Sequence, residues 1–172
     1  MSLILPYRGV LPQIAPDTFV APNATLIGDV HVGEQASIWF GAVVRGDVMP
    51  IRIGARSSVQ DLCMVHATTG WAPTLIGEDC TIGHSVLLHG CTVGDRVLIG
   101  MGSILLDGAE IASDSILGAG SLVTTNTKIP SGVLAMGRPA KVVRELKEEE
   151  RAFLLESARR YIAYSAAYKT DS

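Results

Sequence analysis

A repeat of six residues runs through most of the chain and limits it to very few folds. An aliphatic side chain recurs at every sixth position, and Gly or another small residue often follows it. A period of six matches neither an α-helix nor a simple alternating strand. The aliphatic positions, called the anchors below, are Ile14, Val20, Leu26, Val32, Ile38, Val44, Ile53, Val59, Val65, Ile76, Ile82, Leu88, Val93, Ile99, Leu105, Ile111, Leu117, Val123 and Ile129.

Such a repeat is typical of a parallel β-helix, in which each hexapeptide forms one short strand and its corner. Three hexapeptides complete a triangular coil, so residues about eighteen apart should stack on neighbouring coils. The anchors would fill a narrow core, which suits a chain with 48% hydrophobic but only 5% aromatic residues. The expected fold is therefore an all-β solenoid.

Three interruptions of the repeat fall at the same corner of this triangle. Three extra residues follow Val44, five follow Val65, and one residue is missing after Leu88. These anchors are one coil apart, so the irregular links should stack. Insertions on one side of a solenoid often mark its working side.

The 172 residues are expected to form a single domain. Residues 1–13 are interpreted as an extended lead-in, 14–134 as the β-helix, and 135–172 as an exit segment and a helix. Pro139 cannot donate to a strand ladder, so the array should end near Gly137. Apolar residues at helical spacing then predict one amphipathic helix over about 146–168, packed on the outside of the solenoid.

Composition narrows the possible partners and the compartment. The net charge of -3 argues against nucleic acid or an anionic membrane as a partner. No segment has the length and apolarity of a membrane span, and the first residues lack the basic region of a signal peptide. The three cysteines follow neither a disulfide nor a zinc-finger spacing. A cytoplasmic protein is expected.

The repeat places the histidines in two columns. His66 and His89 each follow an anchor of the same face, one coil apart, and Arg45 occupies the same position one coil earlier. His84 lies on the preceding face, one coil beyond Asp61. Residues beside an inward anchor point outward, so both columns should lie on the surface, about 4.8 Å between successive members.

Three histidines that leave one position open are the ligand pattern of a catalytic zinc site. His66 and His89 share a column, whereas His84 lies on another face, so we expect His84 to come from a neighbouring subunit. A cyclic trimer of triangular prisms would permit this, and would bring Arg45 of one subunit near Asp61 of the next.

At this point the chain resembles the gamma-class carbonic anhydrases. The resemblance rests on Arg45-Gly46-Asp47, Gln60-Asp61, His66 and the pair His84 and His89, and it extends through the exit segment at 137–141 to the C-terminal helix. It implies a left-handed β-helix and a homotrimer with zinc, or ferrous iron or cobalt, at each interface. It also implies catalysis of the reversible hydration of carbon dioxide to bicarbonate by a metal-bound hydroxide.

The resemblance assigns roles to the remaining site residues. His66 and His89 would bind the metal from one subunit and His84 from the next. Gln60 would hold the hydroxide, and Asp47 would support the interface. Arg45 and Asp61 would pair across that interface.

The group that carries the proton to solvent is less well defined. Val48 stands where the archetypal members have a Glu, and residues 67–74 contain no carboxylate. Tyr161 or Tyr164 of the final helix would line the pocket, and the sequence does not choose between them. Hydration activity is therefore expected to be weak or absent.

Two other functions fit the repeat. Many left-handed β-helix proteins transfer acyl groups from coenzyme A with one histidine as base, although three stacked histidines exceed that need. Alternatively, the chain forms a metal-binding trimer that has lost its proton path and its catalytic activity.

Overall fold

The computed structural model describes residues 2–170, which form a parallel β-helix of short strands followed by one α-helix. The expected solenoid is therefore confirmed. Met1 and residues 171–172 of the predicted terminal segments lie outside the described residues. In chain order the elements are β1 (Leu3–Leu5), β2 (Gln13–Ile14), β3 (Phe19–Val20), β4 (Thr25–Val32), β5 (Ser37–Ile38), β6 (Val43–Ile53), β7 (Ser58–Val59), β8 (Met64–His66), β9 (Thr74–Ile76), β10 (Thr81–Ile82), β11 (Leu87–His89), β12 (Thr92–Val93), β13 (Leu98–Ile99), β14 (Ile104–Leu105), β15 (Glu110–Ile111), β16 (Ile116–Leu117), β17 (Leu122–Val123), β18 (Lys128–Ile129), β19 (Val133–Gly137), β20 (Ala140–Glu145) and α1 (Glu148–Thr170).

The strands stack in parallel on three faces, and each anchor pairs with the anchor one coil away. Val65 pairs with Leu88, and Ile53 pairs with Ile76. One face is the ladder β3-β5-β7-β10-β13-β16-β19, with β20 added at its end. The long strands β4 and β6 run across two faces and join the other two ladders, β8-β11-β14-β17 and β9-β12-β15-β18, at their shared corner.

The anchors form the core. From Leu26 to Ile129, every anchor is buried, which removes a continuous column of aliphatic surface from water. All three cysteines also point into this core. Burial raises the pKa of each of the Cys63, Cys80 and Cys91 thiols to about 12, so they remain protonated at neutral pH.

The interrupted corner differs from a simple stack of loops. The link after Val44 is the uninterrupted strand β6, which continues from one face to the next. The link after Val65 leaves the ladder at residues 67–73 and returns in β9. His66 and His89 lie where the regular ladder enters this corner.

The end of the array contains a strand that the sequence pattern did not predict. After the turn at Arg138-Pro139, β20 reverses direction and pairs antiparallel with β19. Helix α1 follows and packs on the face formed by β3, β5 and β10. It begins and ends two residues later than the expected range of 146–168. Within residues 2–170, none of the helical structure is long and apolar enough to cross a membrane.

Candidate metal centre

His66 and His89 lie side by side at the ends of neighbouring strands. They are directly paired in the parallel register of β8 and β11. Nδ1 of His66 is 3.2 Å from Nε2 of His89, and the ring centroids are 5.2 Å apart. Both side chains are partly sheltered, with 13% and 28% of their surfaces exposed. The fold therefore brings these two predicted ligands together.

Asp47 holds the other side of the His66 ring. Its Oδ1 is 2.9 Å from Nε2 of His66, and Arg45 donates a hydrogen bond to its Oδ2. Burial alone would raise the pKa of Asp47. Hydrogen bonds from His66 and Arg45, with the charge of Arg45, outweigh burial and hold that pKa below its ordinary value. Arg45 thus pairs with Asp47 in its own chain, and its pairing with Asp61 of another subunit remains a prediction.

Asp107 holds the ring of His89 in the same way. Its Oδ2 is 3.0 Å from Nδ1 of His89, and the Asp107 side chain is only 15% exposed. The repeat analysis missed this residue because Asp107 lies two positions after an anchor, whereas both histidines lie one position after theirs. A search for carboxylates one coil beyond His89 would have found Asp107.

His84 lies on a different corner, beside Asp61. Asp61 Oδ2 is 2.8 Å from Nδ1 of His84, and the His84 side chain is 46% exposed. A recess of about 290 Å³ adjoins His84 and is also lined by Gln60, Tyr161 and Tyr164. The fold therefore groups His84 with Gln60 and the two tyrosines.

Gln60 and Tyr161 are joined under the C-terminal helix. Gln60 is only 3% exposed, and its side chain is hydrogen-bonded to that of Tyr161. Burial, and then the nearby Asp61 carboxylate, raises the pKa of Tyr161 above its ordinary value. Tyr164 is 52% exposed and contacts the Tyr161 ring. Of the two tyrosines, Tyr161 is therefore the one tied to Gln60.

The geometry of His66 and His89 fits a shared metal ion. If each ring donates its N–H to the neighbouring carboxylate, the remaining nitrogens present lone pairs to each other across 3.2 Å. Two ligands of a tetrahedral zinc at 2.0–2.1 Å would lie about 3.3 Å apart. Within residues 2–170, however, no group of three or more His, Cys, Asp or Glu side chains could hold a metal. A zinc ion with three protein ligands at this pair would take its third ligand from elsewhere.

Comparisons with known proteins place the chain in a family. The profile of a family described as "Bacterial transferase hexapeptide (six repeats)" matches residues 73–105 and 90–125. A protein of Geobacillus kaustophilus named carbonic anhydrase is 47% identical over 97% of this chain and 91% of its own length. The mitochondrial gamma carbonic anhydrase 1 of Arabidopsis thaliana is 44% identical over 94% of this chain, which spans only 60% of the plant protein.

A solved structure from Bacillus cereus, provisionally described as an acetyltransferase, superposes with a TM-score of 0.97 at 47% identity and covers 99% of both chains. The relative named carbonic anhydrase and the structure described as an acetyltransferase are equally identical to this chain in sequence. Their names alone therefore do not decide its activity. The shared fold, the extent of the alignments and the repeated curated names agree on ancestry. The chain belongs to the gamma carbonic anhydrase family of hexapeptide-repeat proteins.

Proposed function

We propose that this protein catalyses the metal-dependent, reversible hydration of carbon dioxide to bicarbonate at the subunit interfaces of a homotrimer. The observation that carries the proposal is the pair of imidazole nitrogens 3.2 Å apart, on rings that two carboxylates hold from behind. A third histidine with its own carboxylate stands on another corner, and in the proposed trimer the neighbouring subunit supplies it to the pair.

In this proposal His66 and His89 of one subunit and His84 of the next hold zinc, ferrous iron or cobalt. Imidazole suits all three metals. Such a metal acts as a Lewis acid and makes hydroxide available from water near neutral pH. Asp47 and Asp61 orient the rings of His66 and His84, as carboxylates commonly do behind metal-binding histidines.

In this proposal the recess beside His84 receives carbon dioxide. It is lined by the apolar Leu98, Met101 and Phe153 as well as by the amide of Gln60. Since Tyr161 bonds to Gln60, this contact limits how the amide can turn. A small apolar molecule would be desolvated there and hydrogen-bonded on one side.

Proton removal is the weak step in this arrangement. Val48 carries no titratable group that could accept the proton. The two carboxylates near it are already hydrogen-bonded, Asp29 to Arg52 at 2.8 Å and Asp47 to His66 and Arg45. Tyr161 keeps its proton because its pKa is raised. A shuttle works best with a pKa near the operating pH, so we expect slow turnover.

Mixed trimers test the proposal. His84→Ala and the double variant His66→Ala/His89→Ala should each bind little metal and hydrate no carbon dioxide. The two variants are then mixed in equal amounts, denatured and refolded together. A complete site forms only where His66 and His89 of the first variant meet His84 of the second. Random assembly of a cyclic trimer produces this arrangement at about a quarter of the interfaces. We expect about a quarter of the wild-type metal content and stopped-flow hydration rate. No recovery in a verified mixed trimer would contradict an interfacial site.

Acyl transfer from coenzyme A is the second candidate, favoured by the description of the Bacillus cereus structure. The two functions differ in their response to chelation. Tight binding of coenzyme A to the metal-free protein, with acyl transfer that survives chelation, would support this second function. Bound metal without hydration would instead indicate a metal-binding trimer that has lost its activity.

A further inference from the structure

We propose that Asp107 is a positioning residue that fixes the ring of His89 so that Nε2 faces the metal. This inference rests on the proposed function, because it assumes that His89 is a ligand. The hydrogen bond between Asp107 Oδ2 and His89 Nδ1 measures 3.0 Å, and the surrounding corner shelters it from solvent.

The other oxygen of Asp107 makes no second hydrogen bond that would account for the position of the carboxylate. Oδ1 is buried and has no hydrogen-bond partner among the described residues. A buried carboxylate oxygen without a partner costs free energy, so another contact of the side chain has to account for its placement. The carboxylate makes its hydrogen bond with His89, so we assign its role to the position of that ring.

The corner is built to admit this side chain. Gly90 has a φ of +57°, and a Cβ placed on it would lie 2.1 Å from Asp107 Oδ1. One coil later the same arrangement recurs without a histidine, since a Cβ on Gly108 would lie 2.2 Å from Oδ1 of Asn126. The close packing of a side chain over a glycine therefore occurs on both coils of this corner. Only at Asp107 is that side chain a carboxylate in contact with a histidine of the candidate metal centre.

The hydrogen bond also selects the tautomer of the ring. A neutral His89 that donates from Nδ1 to Asp107 leaves the lone pair on Nε2, which faces His66. Without Asp107 the ring would be free to turn and to place its proton on Nε2. Loss of such a support typically lowers metal affinity 10- to 100-fold.

The test compares Asp107→Ala and the conservative Asp107→Asn with Asn126→Ala, which removes the matching side chain one coil away. Zinc affinity is measured by chelator competition on trimers of verified size, and melting temperature is measured without metal. We expect Asp107→Ala to weaken zinc roughly 10- to 100-fold, Asp107→Asn to weaken it less, and Asn126→Ala to leave it unchanged. The metal-free melting temperature of Asp107→Ala should not fall below that of Asn126→Ala.

A second readout is independent of metal. Long-range ¹H–¹⁵N spectra of the metal-free wild type should show the Nδ1–H tautomer of His89, and Asp107→Ala should shift it toward Nε2–H. Unchanged zinc affinity in Asp107→Ala, or an unchanged tautomer, would overturn this inference alone. Zinc binding that depends on Asp107, without hydration in the wild type, would instead overturn the proposed function alone. A wild-type trimer that binds no metal would overturn both.

Discussion

A histidine has two ring nitrogens, and a metal centre works only if each ring presents the correct one. In the proposed site three carboxylates would make that selection. Asp47 binds Nε2 of His66, whereas Asp107 and Asp61 bind Nδ1 of His89 and His84. At the scale of single residues, the proposed chemistry would therefore depend on the acidic side chains as much as on the imidazoles.

Tyr161→Phe tests the role of a single hydroxyl. Because its pKa is raised, Tyr161 should act as a hydrogen-bond partner of Gln60 and not as a proton carrier. Loss of one such bond should lower the hydration rate roughly 3- to 10-fold with metal content unchanged. The exposed Tyr164→Phe is the matched control and should stay near the wild-type rate. If added imidazole buffer restored the rate of Tyr161→Phe, Tyr161 would be a proton carrier.

The repeat predicted which coil and face carry each histidine, because strand register follows from the anchors. It did not predict Asp107, whose approach to His89 depends on the corner backbone at Gly90. Nor did it choose Tyr161 over Tyr164, because the way a helix rotates on a solenoid face is decided by packing. The proposed third ligand, His84, would come from another subunit, and contacts between subunits are not specified by the repeat.

Helix α1 and the hairpin before it act as one unit at the scale of elements. Glu150 accepts hydrogen bonds from the guanidinium of Arg144 in β20 and from the backbone N–H of Lys147 at the start of the helix. The Arg144 bond comes first among the effects that lower the pKa of Glu150 to about 2. The contact joins the last strand to the first turn of the helix, where an acidic side chain is favourable.

Glu150→Gln should lower the melting temperature at pH 7, and the difference should shrink in acid. The folded-state pKa of about 2 lies below the ordinary value of 4.5, so the stabilisation is present above pH 4.5 and is lost as the pH falls toward 2. Melting curves between pH 7 and pH 3 check this. Glu149→Gln, in the same turn, is the control. A difference that stayed constant with pH would show that the Glu150 carboxylate is not responsible.

The hairpin strand illustrates what sequence patterns omit. Lys141–Glu145 are exposed in β20 and show no anchor, so neither a strand nor a helix period marks them. Their conformation comes from pairing with β19, which is tertiary context. The helix was predicted within two residues at each end because its apolar face repeats at helical spacing.

At the scale of the whole molecule, each coil touches mainly its neighbours, so stability is close to a sum of coil and interface contributions. Ile111 is 1% exposed and pairs with Val93 below and Ile129 above, on a face that carries none of the proposed metal ligands. A cavity at this anchor would weaken two interfaces at once.

Ile111→Ala should therefore lower the free energy of unfolding by about 2–5 kcal/mol. Guanidinium unfolding of the metal-free protein at one fixed concentration measures this, because oligomer stability depends on concentration. Lys128→Ala, on the neighbouring coil, removes an exposed ion pair with Glu110 and should change stability by less than about 0.5 kcal/mol. A change below about 1 kcal/mol for Ile111→Ala would contradict the additive view of the coils.

The antiparallel strand β20 also sets where the solenoid stops. A parallel array offers its last coil as a template on which a further chain could grow into a fibre. On the face that includes β19, that template is occupied by a strand of opposite direction with Lys141, Arg144 and Glu145 exposed. The length of the array and its termination are thus separate properties. Whole coils of about eighteen residues could be added or removed ahead of β19 in evolution or design, while the same hairpin closed the end.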